Sequence, residues 1–224
     1  MSLTSRSRTL LLPLLGVVAG LSACGGGDKG MDPEPEPPLV NTPSAVIQDL
    51  RNAWDTRDFS PLSGVFSDQF LFLTSPNDVD FWLTPPQWGR SEELDCTQLI
   101  FDGLKGTRPD GSAQSAIDVR FPFGLFILAI DDDWVELTEG PYAGMLYRLY
   151  SYTMVSQYEN GDFDFIDGNA EFYVVEEPFV QEDGTDARRY VIRVFKDRGQ
   201  PLPALRHGVF SWGYLKGLYQ QASP

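Results

Sequence analysis

The chain predicts an α+β domain, with helices first and antiparallel strands after. Apolar residues recur at helical spacing over residues 43–57 and again over about 91–104. From Ser115 onward the period changes to two, in long segments rich in aromatic and β-branched residues. Turn dipeptides, Asn160-Gly161 and Asp167-Gly168, punctuate this second half, and no internal repeat is present.

A segment of another kind precedes the domain. Residues 1–23 carry Arg6 and Arg8 and no acid, then an apolar run from Leu10 to Leu21. That is a secretory signal in outline, and it is shorter than the ~20 residues needed to span a bilayer. It ends in Leu21-Ser22-Ala23-Cys24, which resembles the lipobox of bacterial lipoproteins. The resemblance implies cleavage before Cys24, diacylglycerol on its thiol and a membrane as partner through that lipid. Two or more acyl chains give the stable anchoring that one does not. Gly25 stands where an Asp favours the inner membrane. The resemblance therefore implies the outer membrane in a Gram-negative cell. Residues 24–42 read as the lipidated Cys and a tether. Gly25, Gly26 and Gly27 give freedom, and the Pro/Glu run from Asp32 to Pro38 gives extension at ~3.1 Å per residue. The domain is expected over 43–224.

Loss of residues 1–23 removes two arginines, which moves the formal charge from −15 to −17 over the remaining 201 residues. That length holds one domain with a real core. The acidic balance excludes nucleic acid as a partner and disfavours anionic lipid surfaces. With Cys24 acylated, Cys96 has no disulfide partner.

Element by element, Thr42 caps and Pro43 opens a helix whose inner face is Val46, Ile47, Leu50, Ala53 and Trp54. A second short helix is expected over 60–67, a strand over 69–74 and a turn over 75–78. A third helix starts at Thr84-Pro85 or at Ser91-Glu92-Glu93 and runs to about Leu104, with Leu94, Thr97, Ile100, Phe101 and Leu104 inward. Strands follow over 116–130 (bent near Pro122 and Gly124), 134–137, 145–158, 170–176 and 189–195, with a hairpin at Glu182-Asp183-Gly184-Thr185. Residues 212–219 are either a last short helix or an edge strand.

Helix, short helix, strand, helix and then long antiparallel strands is an order that resembles the nuclear-transport-factor-2-like superfamily, in its SnoaL-like branch. The resemblance covers about residues 43–197 and rests on element order and on pieces such as residues 46–72, not on a signature motif. It implies a curved antiparallel sheet wrapped around two to three N-terminal helices, with a conical pocket between them. It also implies sheet-face homodimers as a candidate assembly. Phe70, Phe72, Phe121, Phe123, Phe126, Tyr150, Tyr152, Phe172 and Phe195 either line such a pocket, with a small apolar ligand as partner, or simply fill the core. Fold does not choose among the superfamily's isomerase-like, dehydratase and binding members.

No residue matches a known catalytic pattern. An isomerase-type site needs a carboxylate base and an oxyanion donor in an apolar pocket. Asp118 and Glu171 are strand carboxylates with Tyr147 and Tyr173 as donors, or all four are outward-facing polar positions. His207 is the only histidine and sits in a proline-broken tail, so neither a zinc site nor a nucleophile elbow is expected. Asn160, Asp162, Asp164 and Glu171 partly copy a calcium-loop spacing, but Phe165 stands where that loop requires Gly. Asp131-Asp132-Asp133 reads as a solvated acidic loop, and Cys96 as a buried small hydrophobe. No cofactor is expected. The reading that emerges is a non-catalytic envelope module binding a small ligand or a protein. The alternative is an isomerase- or dehydratase-type enzyme using a pocket carboxylate.

Overall fold

The computed structural model describes residues 36–82, 84–107, 111, 113–120, 126–158, 160–199 and 209–220, without the side chains of 81, 82, 113–120 and 126. Cys24 and its lipobox, Phe121, Phe123 and His207 therefore lie outside the described residues, as do the side chains of Asp118 and Phe126.

Helix α1 is Pro43–Thr56. Thr42 is extended and its hydroxyl accepts from Ala45 N at 3.2 Å, leaving Pro43 at the first helical position. The helix buries the five predicted apolar residues and stops at Arg57, which adopts a left-handed conformation (φ 53°) and returns its N–H to the carbonyls of Ala53 and Trp54. Helix α2 (Leu62–Val65) leads into strand β1 (Phe66–Leu73). The turn expected over 75–78 is instead the start of helix α3 (Pro76–Trp82). Ser75 Oγ accepts from Asn77 N at 3.3 Å, Pro76 follows, and Asp78 complements the first turn. Turn residues and helix-capping residues are the same residue types, and here the cap wins.

Strand β2 (Gln87–Gly89) feeds α4 (Arg90–Phe101), followed by β3 (Lys105–Thr107) and β4 (Ala113–Arg120). Then come β5 (Phe126–Ala129), β6 (Val135–Glu136), β7 (Leu146–Tyr158), β8 (Phe163–Val180) and β9 (Asp186–Gly199). Strand β10 (Val209–Phe210) and helix α5 (Trp212–Gln220) follow. Asp167-Gly168 is not a turn, since both lie inside the 18-residue β8. The glycine there answers a close approach, because a Cβ would sit 2.6 Å from the Tyr152 hydroxyl oxygen.

The sheet runs β2-β1-β9-β8-β7-β4-β3, with β5 and β6 also on β7 and β10 on β8. Its long central strands are antiparallel. Strand β1 joins β9 in parallel, with Phe72 opposite Phe195, and β10 joins β8 in parallel. Register shifts within the β1–β9, β4–β7 and β8–β9 pairs bend the sheet, giving the expected α+β cone with helices against its concave face. The compact unit begins at Pro37. Leu39 bridges Arg188 of β9, and the Asn41 amide bonds both the N–H and the carbonyl of Tyr190 (2.7 and 3.1 Å), imitating a strand. Residues 37–42 thus belong to the same compact unit as α1.

Inside the cone lies α5, a helix whose residues from Trp212 to Tyr219 are all buried. Gly213 and Gly217, four apart, give it a flat side. A Cβ on Gly217 would lie 2.7 Å from both Oγ1 and Cγ2 of Thr84, which is itself buried. Helix propensity alone favours Ala over Gly by about 1 kcal/mol, whereas overpacking costs about 1–3 kcal/mol. Gly217→Ala is expected to lower the urea midpoint. An unchanged or raised midpoint would mean that α5 does not seat against Thr84.

Candidate functional site

Among the described residues, two clusters of buried polar side chains meet α5. The first gathers at the amino end of α5. Asp197 of β9 accepts the Tyr152 phenol at 2.7 Å and the N–H groups of Gly199 (2.8 Å) and Gly213 (2.5 Å). The first turn of a helix offers free N–H groups and a positive dipole end, which suits a carboxylate. Ser211 caps α5 by accepting from Tyr214 N at 2.9 Å and donates its own hydroxyl proton to Asp78 of α3. A Cβ on Gly213 would lie 3.0 Å from Asp197 Oδ2 and 3.3 Å from Asp78 Oδ2, so the two acids crowd one point.

Burial, then the neighbouring Asp197 charge, push the Asp78 carboxyl from its ordinary 3.8 up to about 7. Burial pushes Asp197 up as well, against the hydrogen bonds that favour its charge. Burial and the Asp197 charge raise the Tyr152 phenol well above its usual range, so it serves as a donor. A buried acid and phenol in hydrogen-bond contact is the arrangement that an acid–base enzyme needs. Here both oxygens of Asp197 are engaged by the protein's own donors.

The second cluster is an ion pair sealed in aromatic rings. Lys216 Nζ bonds Glu93 Oε1 at 2.6 Å, and both side chains are 0% exposed. Glu93 Oε2 also accepts the Trp88 indole N–H at 2.8 Å. The ammonium lies 4.3 Å from the Phe72 centroid, 4.5 Å from Phe195 and 4.9 Å from Trp212. Phe172 and Tyr152 complete the surround through ring contacts with Phe195 and Trp212. Of the sequence-predicted lining, Phe70, Phe72, Tyr150, Tyr152, Phe172 and Phe195 all belong to this one buried cluster, packed with α5.

Glu171, Tyr173 and Tyr147 are brought together, but on the opposite face of the sheet. Glu171 accepts from Tyr173 at 2.7 Å and from Arg198, with Lys196 at 3.3 Å. Burial would raise its carboxyl, but the Arg198 and Tyr173 hydrogen bonds and the Lys196 charge outweigh that and hold it below its usual range. Three of the other candidate acids are likewise bonded within the protein. Asp164 accepts the Tyr158 hydroxyl at 2.7 Å, Asn160 and Asp162 bond each other, and Asp131 accepts Leu149 N at 2.9 Å. Among the described residues no group of three or more metal-ligating side chains is placed to hold an ion. Cys96 is buried, its thiol pushed up by burial and the Glu93 charge, and so is inert as a nucleophile.

A cavity open to solvent lies elsewhere. About 240 Å³ is enclosed between the domain's first residues (Val40, Asn41), α1 (Val46, Asp49), the α2 region (Pro61, Gly64, Val65) and the β8–β9 hairpin (Phe179, Arg189). A second hollow of about 340 Å³ lies beside it, past Phe179, lined by Pro37, Pro178, Val180, Asp186 and Ala187. The Arg189 guanidinium lies over the Phe179 ring at 4.9 Å. Five separate segments build this cavity, and no local pattern in the sequence announces it.

No family model matches the chain, and no curated protein matches it. Solved structures of similar shape include a conserved protein from Planctomyces limnophilus (14% identity, 68% of this chain and 89% of that one, TM-score 0.41). A candidate aromatic ring hydroxylase from Novosphingobium aromaticivorans is another (11%, 77% and 92%, TM-score 0.40). A third is a protein of unknown function from Mycobacterium tuberculosis (13%, 80% and 84%, TM-score 0.41).

Proposed function

We propose that the chain is an envelope lipoprotein, anchored through lipid on Cys24, whose domain belongs to the nuclear-transport-factor-2-like superfamily and binds a small ligand without turning it over. The observation that carries the non-catalytic reading is the occupied interior. Helix α5, the Lys216–Glu93 pair and the engaged Asp197 fill the place where a substrate would meet a base. The anchor reading is supported by the lipobox and the tether, and Gly25 favours the outer membrane. No described helix is long and apolar enough to cross a membrane. Labelled palmitate is expected to enter the full chain in a bacterial host, and Cys24→Ala is expected to abolish both labelling and membrane retention. Retention of the Cys24→Ala chain at the membrane would refute the anchor.

The Asp197–Tyr152 pair favours a second reading, an enzyme of the isomerase or dehydratase type. Such an enzyme exchanges protons next to a carbonyl. The binding reading expects no deuterium uptake when enolisable ketones are held with the protein in heavy water. Uptake lost on Asp197→Asn would replace it with the enzyme reading.

A further inference from the structure

Resting on the binding reading above, we infer that the cavity between α1 and the β8–β9 hairpin is a site for a small zwitterion of the amino-acid kind. Its carboxylate would meet Arg189, its ammonium Asp49 and its apolar body Val46, Val65 and Phe179. Arg189 carries the inference. Among the arginines whose side chains are described, it has neither a hydrogen bond nor an ion pair. Arg51, Arg90, Arg148, Arg188, Arg193 and Arg198 each bond an acid, an amide or a carbonyl, and Arg57 also has a partner. The Nε of Arg189 is buried without a partner, and its guanidinium rests on Phe179 with Gly64 close behind.

In a chain of net charge −15, a cation left unpaired at the wall of a cavity is out of keeping with its surroundings. The acid opposite it in register, Glu177, is taken up by the Ser67 hydroxyl at 2.6 Å. A planar guanidinium with free N–H groups recognises a carboxylate in two-point fashion. A simple anion would meet Asp49 in the same cavity, whose carboxyl is already raised by burial. A ligand carrying an ammonium as well turns that repulsion into a second contact. The cavity's about 240 Å³ and its valine, proline and phenylalanine walls suit an aliphatic or aromatic side chain.

The test uses the full chain and calorimetric titration with L-leucine and L-phenylalanine, beside isoamylamine and isocaproate, which lack one charged end each. The zwitterions are expected to bind, and the amine and the acid at least tenfold more weakly. Arg189→Gln is expected to cost at least tenfold for the amino acids and nothing for the amine. Asp49→Asn is expected to weaken the amino acids and improve the acid. Undiminished binding to Arg189→Gln, or equal affinity for the acid and the amino acid, overturns the inference. Failure of the amino acids while another ligand class stabilises the protein in a broad thermal screen overturns it too, and leaves the binding reading standing. Silence across the whole screen sinks both.

Discussion

Lys216→Ala is expected to remove about 3–5 kcal/mol of stability, the usual cost of leaving one partner of a buried ion pair alone. Glu93 would then hold a negative charge at 0% exposure with only the Trp88 indole to meet it. Phe72, Phe195 and Trp212 would lose the cation at their faces and gain a void. Urea unfolding at neutral pH reads the loss directly. The double change Lys216→Met, Glu93→Gln removes both charges, keeps the volume and leaves an acceptor for Trp88. It is expected to recover most of the stability, because apolar replacements of buried ion pairs are often neutral or better. A cost below about 1 kcal/mol for Lys216→Ala would mean that the ammonium reaches water, contrary to its burial.

The second large effect is a dependence on pH that runs against the usual direction for an aspartate. Asp78 has a folded carboxyl raised from 3.8 to about 7, so the folded chain keeps a proton that the unfolded chain releases. Stability from this group is full below about 3.8 and is lost as pH rises to about 7. Asp197, also raised, adds in the same direction. Glu171 works oppositely. Its lowered carboxyl contributes stability above its ordinary 4.5, and that contribution is lost as pH falls further. The melting temperature is therefore expected to peak in mildly acidic buffer and to fall towards pH 8. Asp78→Asn still accepts from Ser211 but carries no charge beside Asp197. It is expected to flatten the alkaline side and to raise the melting temperature at pH 8. A wild-type profile flat from pH 5 to 8 would show that the two acids do not share their cluster in the folded chain.

Much of the fold was legible because its signals are local. Thr42-Pro43 and the apolar face of α1, the hairpin at Glu182–Thr185 and the alternation of β7 appear where the sequence places them. Errors fell where one residue type serves two structures. Ser75, Pro76 and Asp78 build a helix start instead of a turn, and Asp167-Gly168 serves close strand packing instead of reversal. Helix α5 was ambiguous because Gly213 and Gly217 weaken its propensity, and only Thr84 and the two aspartates explain them. The interior site was half legible. Tyr152, Phe72 and Phe195 stood among the candidates, but Asp197, Asp78, Glu93 and Lys216 did not. A charged residue in sequence reads as surface, and nothing local reports that Lys216 lies 123 positions from the acid that makes it tolerable indoors. Arg189 escaped for the same reason: its lack of a partner is a property of the folded chain alone.

The place of α5 bears on how the chain is made. Strand β1 must wait for β9, more than 100 residues later, and the aromatic core must wait for Trp212, Leu215 and Lys216. Contacts of such long sequence separation form slowly, and these cannot close before β9 and α5 have been made. Until then the strands lack the helix that covers their aromatic face. Until α5 is made, a nascent chain of this design leaves that aromatic face open to chaperones and to aggregation for longer than a domain built from local contacts would.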